Sequence, residues 1–133
     1  MNRIAGMLRA AVVVGIVGSS TGCLAAAAAA GAGGAVAYSN RGAEGNVAGT
    51  VDAAFARAVS VFQSMGITET GRSSEHNGAE RKLTGTKGDV DVDVVIEREN
   101  AGTSKVRVYA KRNKVDYQQT MSDDILARIV AGG

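Results

Sequence analysis

The chain has one cysteine, one histidine, no proline and no tryptophan among its 133 residues. A single cysteine rules out an intrachain disulfide, so the covalent bracing usual in small secreted domains is excluded. His76 sits in a polar stretch with no second ligand and no serine or cysteine nucleophile in a recognisable spacing, which removes the common zinc and nucleophilic chemistries. The lack of proline and tryptophan is unusual but points to no activity. Excess charge is also missing, with 15 Lys+Arg against 13 Asp+Glu. Arg3 and Arg9 belong to a segment read below as removed, and without them the remainder is neutral. A neutral domain lacks the electrostatic footprint of a nucleic-acid binder.

Phosphate-binding glycine motifs are missing as well. No G-x-x-x-x-G-K-[ST] occurs, and Gly31-Ala32-Gly33-Gly34-Ala35-Val36 lacks the last glycine of the dinucleotide fingerprint and follows no strand. Asp89, Asp91 and Asp93 are spaced two apart, but Val94 stands where a calcium loop needs its turn glycine and Asn100 where it needs its bidentate glutamate. Strand alternation accounts for that spacing. The expectation is a protein without a catalytic site, cofactor or metal.

What is present begins at the N-terminus. Arg3 and Arg9 precede an apolar run from Ala10 to Val17, and the small residues Gly18 to Gly22 lead to Cys23. That order is the order of a secretory signal peptide. The cysteine directly after Ser20-Thr21-Gly22 resembles the bacterial lipobox, with Ser20 in the place of the motif's usual leucine. The resemblance implies acylation of Cys23, cleavage ahead of it, and a lipid bilayer as the first partner. Leu24, rather than aspartate, after the cysteine implies the periplasmic face of the outer membrane in a cell with two membranes. The competing reading is a single span over 10–30, which carries no charge but is mostly alanine and glycine.

Leu24 to Ala37 (LAAAAAAGAGGAVA) is low in complexity and reads as a flexible tether. Its alternative role is insertion in the membrane or self-association through small residues. The expected organisation is a leader over 1–22, an acylated cysteine and tether over 23–41, and one domain over 42–133.

Within that domain Ala43 to Val51 reads as a first strand. Asp52 is expected to cap a helix over 53–65, whose Phe55, Ala58, Val59, Phe62 and Met65 recur at helical spacing, and Gly66 to end it. Strands are expected over 67–75, 79–87, 89–99 and 105–112, with turns at His76-Asn77-Gly78, Lys87-Gly88-Asp89 and Asn100 to Thr103. The last two strands alternate most clearly, placing Val90, Val92, Val94, Ile96, Val106, Val108 and Ala110 inward. Lys114 to Thr120 reads as irregular. Ser122 is expected to cap a final helix that buries Ile125, Leu126, Ile129 and Val130. The fold class is then α+β, a two-layer sandwich in the order β-α-β-β-β-β-α, with about five antiparallel strands and both helices on one face.

The order of parts resembles an uncharacterised family of small bacterial lipoproteins, classed as a domain of unknown function. It rests on Cys23, the tract closing in Gly34-Ala35-Val36-Ala37-Tyr38, Val51-Asp52-Ala53-Ala54-Phe55, the Met65-Gly66-Ile67 helix exit and Ile125-Leu126-Ala127-Arg128-Ile129. The resemblance implies location and fold and no chemistry. The one surface cluster with binding potential is Lys105, Arg107, Tyr109, Lys111 and Arg112, and an envelope protein or an anionic cell-wall polymer would suit it.

Overall fold

Alternation of β-branched with charged residues over 90–112 provides one apolar face and one wet face, and these residues form the centre of an antiparallel sheet. A computed structural model describes residues 36–39 and 41–132. The expected leader, Cys23 and residues 24–35 lie outside the described residues. In chain order the elements are β1 (Val36–Ser39), β2 (Gly42–Ala48), α1 (Val51–Met65), β3 (Thr68–Glu75), β4 (Glu80–Lys87), β5 (Val90–Asn100), β6 (Thr103–Arg112), β7 (Asp116–Tyr117) and α2 (Gln119–Val130). The sheet runs β1-β2-β6-β5-β4-β3, with β7 also paired to β6.

Chain order explains this arrangement. After β2 the chain crosses through α1 to the far edge at β3, then meanders back through β4, β5 and β6 until β6 pairs with β2. The two helices lie side by side on one face, α1 over β4 and β5, α2 over β2 and β6. The fold is thus α+β in the expected order, with the five expected strands as β2 to β6.

Two short strands were not expected. β1 starts the sheet six residues before position 42, so Val36 to Ser39 belong to the fold and not to the tether. β7 lies in the stretch read as irregular, where two residues are too few to show any alternation.

The core is the apolar face of the sheet closed by the helices. Val92, Val94, Ile96, Val106, Val108 and Leu83 meet Phe55, Phe62, Ile125, Leu126 and Ile129, all at most 4% exposed. The α1 stripe is slightly rotated from expectation: Ala54 and Val61 are buried, while Val59 and Met65 are only partly so.

Asp52 does not cap α1. Thr50 does, its hydroxyl accepting from the Ala53 N–H at 3.2 Å, because helical geometry starts two residues earlier than the apolar spacing indicated. Asp52 sits in the first turn, where its Oδ1 accepts from Arg81 Nη1 at 2.7 Å, and the Arg81 guanidinium lies 3.8 Å from the centre of the Phe55 ring. The Thr50→Ala variant is expected to lose about 1 kcal/mol of stability in urea unfolding, and Asp52→Ala less than that. Gly66 ends the helix in the left-handed region at φ 67°, as expected.

Ser122 is not an N-cap either. It lies one turn inside α2 and is 1% exposed, and its Oγ accepts from the backbone N–H of Ala110 at 3.0 Å. That N–H falls in a gap of the ladder, because β2 pairs with β6 only as far as Val108 and β7 begins at Lys111. A hydroxyl from the helix fills the position a neighbouring strand would otherwise occupy.

At the far edge, β3 is exposed along its whole length except for the half-buried Gly71. A register shift between Glu69 and Gly71 turns both Glu69 and Arg72 to the helix side, where they bond at 2.6 and 2.7 Å. In an unbroken strand residues three apart point to opposite faces. The hydrogen bonds from Arg72 hold the Glu69 carboxyl below its ordinary range. A bulge and charged side chains are the usual means of keeping an edge from recruiting another strand.

Candidate functional site

The sheet face turned away from the helices has no covering layer among the described residues. Its rows follow from the pairing register, because directly paired residues share a face. Glu44 of β2 stands opposite Arg107, Asn46 opposite Lys105, Asp93 of β5 opposite Tyr109, Asp91 opposite Lys111 and Glu97 opposite Lys105. Strands of opposite charge therefore lie next to one another.

Lys105, Arg107, Tyr109 and Lys111 are brought together in one row, as the alternation implied. Arg112 does not join them. It is paired with Val90, which is buried, so it lies on the helix side at the end of the strand. There its Nε is 2.7 Å from Asp89 Oδ2, an ion contact without hydrogen-bond alignment.

Each cation of the row meets a carboxylate. Arg107 donates from Nε to Glu44 Oε2 at 2.8 Å and from Nη1 to Glu97 Oε1 at 3.0 Å. The bond to Glu44, with Glu97 adding to it against partial burial, raises the Arg107 guanidinium above its ordinary pKa, so it stays charged at any accessible pH. Lys105 lies 3.6 Å from Glu99 and 3.8 Å from Glu44, and Lys111 lies 4.0 Å from Asp93, which Lys82 approaches to 3.5 Å. Tyr109 lies across Gly42, where a Cβ would stand 2.7 Å from the ring and 2.5 Å from the Val108 carbonyl oxygen. A glycine at that position is what lets the ring lie flat on the sheet.

Glu44 and Glu97 are the partners that sequence reasoning did not assign. Glu97 was within reach of a hairpin argument. Glu44 was not, because the β2–β6 pairing joins residues 63 positions apart and depends on the whole meander closing.

The other candidates lie apart from this row. His76 is at the opposite end of the sheet from the β4–β5 turn, 70% exposed and 3.8 Å from Glu80, with a backbone φ of 51°. Among the described residues no group of three or more histidine, cysteine, aspartate or glutamate side chains is placed to hold a metal ion. An open depression lies between the end of α1 and the start of α2, lined by Met65, Lys87, Tyr117 and Met121 with Asp116 and Asp124. It brings no nucleophile beside a base. No family model matches the chain, and no curated protein does.

Proposed function

We propose that the chain is a non-enzymatic lipoprotein of a bacterial cell envelope, held at the membrane by acylated Cys23 and presenting its α+β domain for binding or assembly. The observation that carries this reading is the only cysteine, placed at the end of a basic, apolar and small-residue leader. The fold is consistent with it, since twelve residues separate Cys23 from the first strand at Val36 and leave a short leash to the edge of the sheet.

The uncovered sheet face narrows the partner. With Lys105, Arg107 and Lys111 each against a carboxylate, that face offers alternating rows and no bare cationic surface. A protein surface of mixed charge suits such rows better than an anionic cell-wall polymer, which would have to displace the internal carboxylates. Intact mass of the membrane-extracted protein tests the anchor. The expected species begins at Cys23 and carries acyl chains, and Cys23→Ser abolishes it. An unmodified chain retaining Met1 would overturn the reading and reassign 10–30 as a membrane span.

A further inference from the structure

We propose that the end of the sheet formed by the β4–β5 and β6–β7 turns is a lipid-docking tip, resting on the lipoprotein reading above. Val115 enters the headgroup region, and Lys87 and Lys114 meet lipid phosphates.

Val115 is 79% exposed, the one large apolar side chain so exposed among the described residues. It is presented by a turn with unusual backbone geometry: Asn113 and Lys114 have φ of 53° and 66°. Asparagine tolerates the left-handed region, but lysine is disfavoured there. Holding Lys114 in that geometry sets Val115 out beyond the end of the sheet. A valine in such a place contributes nothing to the core.

The charges around it complete the tip. Register brings the two turns together, since Lys87 pairs with Val90 and Val90 with Arg112. The carboxylates here have their own partners: Asp89 lies against Arg112, and Asp116 accepts from Gln118 Nε2 at 3.0 Å. Lys87 and Lys114 meet no carboxylate within ion-pair distance among the described residues. What faces outward is one aliphatic side chain beside two unpaired cations. That is too little area for a stable protein interface, which takes about 800 Å² per partner. It fits an interface of acyl chains and phosphates, where lysine and a small apolar group act together.

The leash permits the contact. Val36 lies opposite Gly45, and Gly45 opposite Val106, so the tip at Arg112 is six strand residues away, about 20 Å. Twelve residues between Cys23 and Val36 can reach about 40 Å. An anchored domain can therefore set this end on the bilayer.

Because the chain contains no tryptophan, Val115→Trp makes a single fluorescent reporter. Ala101→Trp, in the exposed β5–β6 turn at the other end of the sheet, is its matched control. Both full-length proteins, acylation verified by intact mass, are placed in vesicles of anionic lipid carrying brominated acyl chains. The V115W emission should be blue-shifted and quenched, and the A101W emission should match that in buffer. Adding Lys87→Gln and Lys114→Gln to V115W should lower the docked-to-undocked ratio about fivefold for each lysine at low salt. An acylated V115W protein that behaves like A101W would sink the docking tip and leave the anchor standing. If the mass shows no acylation, the anchor fails separately. The same vesicles at saturating lipid then decide the tip, and absence of quenching in V115W overturns it.

Discussion

Ser122→Asp should destabilise the domain by roughly 3 to 5 kcal/mol, the cost of an uncompensated charge at a buried site. The site is 1% exposed, and its hydroxyl serves one purpose, accepting the Ala110 N–H in the gap between β2 and β7. The Ala110 carbonyl is occupied separately, by the Gln118 N–H at 2.8 Å. An aspartate is too long for this gap and loses its hydration there. Ser122→Ala should cost less, about 1 to 3 kcal/mol, because it orphans one buried N–H without adding a charge. Urea unfolding of the three proteins checks the order. The outcome also separates two roles for the residue: at an N-cap aspartate ranks with serine, so a loss under 1 kcal/mol would mean that Ser122 caps and does not clamp. In a domain whose whole stability is of the order of 5 to 15 kcal/mol, the expected loss is a large share.

Phe62 and Gly85 should prove coupled. Phe62→Ala is expected to cost about 3 to 5 kcal/mol through lost burial and the cavity left between α1 and the sheet. Gly85→Ala should cost about 1 to 3 kcal/mol for the opposite reason, overpacking. A Cβ at Gly85 would stand 2.7 Å from Phe62 Cε2, 2.7 Å from the Thr68 carbonyl oxygen and 2.9 Å from Ile67 Cγ2. In the double variant the first contact disappears and the new methyl occupies part of the cavity, so the combined loss should fall short of the sum. The Thr68 and Ile67 contacts remain, so it should not fall to the Phe62→Ala value alone. A strictly additive pair would mean that the ring and the glycine do not share one space.

What could be read from the sequence divides along the range of the interactions. β5 and β6 were legible residue by residue because alternation is local and a polar turn joins them. The exit of α1 was legible because Gly66 takes the left-handed conformation that ends helices. Its start was missed by two residues, since Thr50 and Asp52 are both capable caps and tertiary contact with Arg81 decides between them. Ser122 was misread for a related reason: a serine followed by two aspartates ahead of an apolar run looks like a capping sequence, yet α2 begins at Gln119 so that its first turn can reach β6. In the candidate row Lys105, Arg107, Tyr109 and Lys111 were placed correctly on one face. Arg112 was not, because strict alternation already turns it to the other side.

β1 has a mechanical consequence. Its pairing with β2 runs from Val36 opposite Gly45 to Ser39 opposite Gly42, so any tension from upstream enters at the end far from the connecting turn. Under such a load the hydrogen bonds are pulled open one after another, like a zipper, and never resist together as they would in shear. Four residues give way at low force, while Ala43 and Val47 stay locked in the core beside β6. Peeling from 36 to 41 pays out about 20 Å of chain. The first strand thus works as a fuse that yields before the body of the fold feels the pull, and it re-forms when the load is gone.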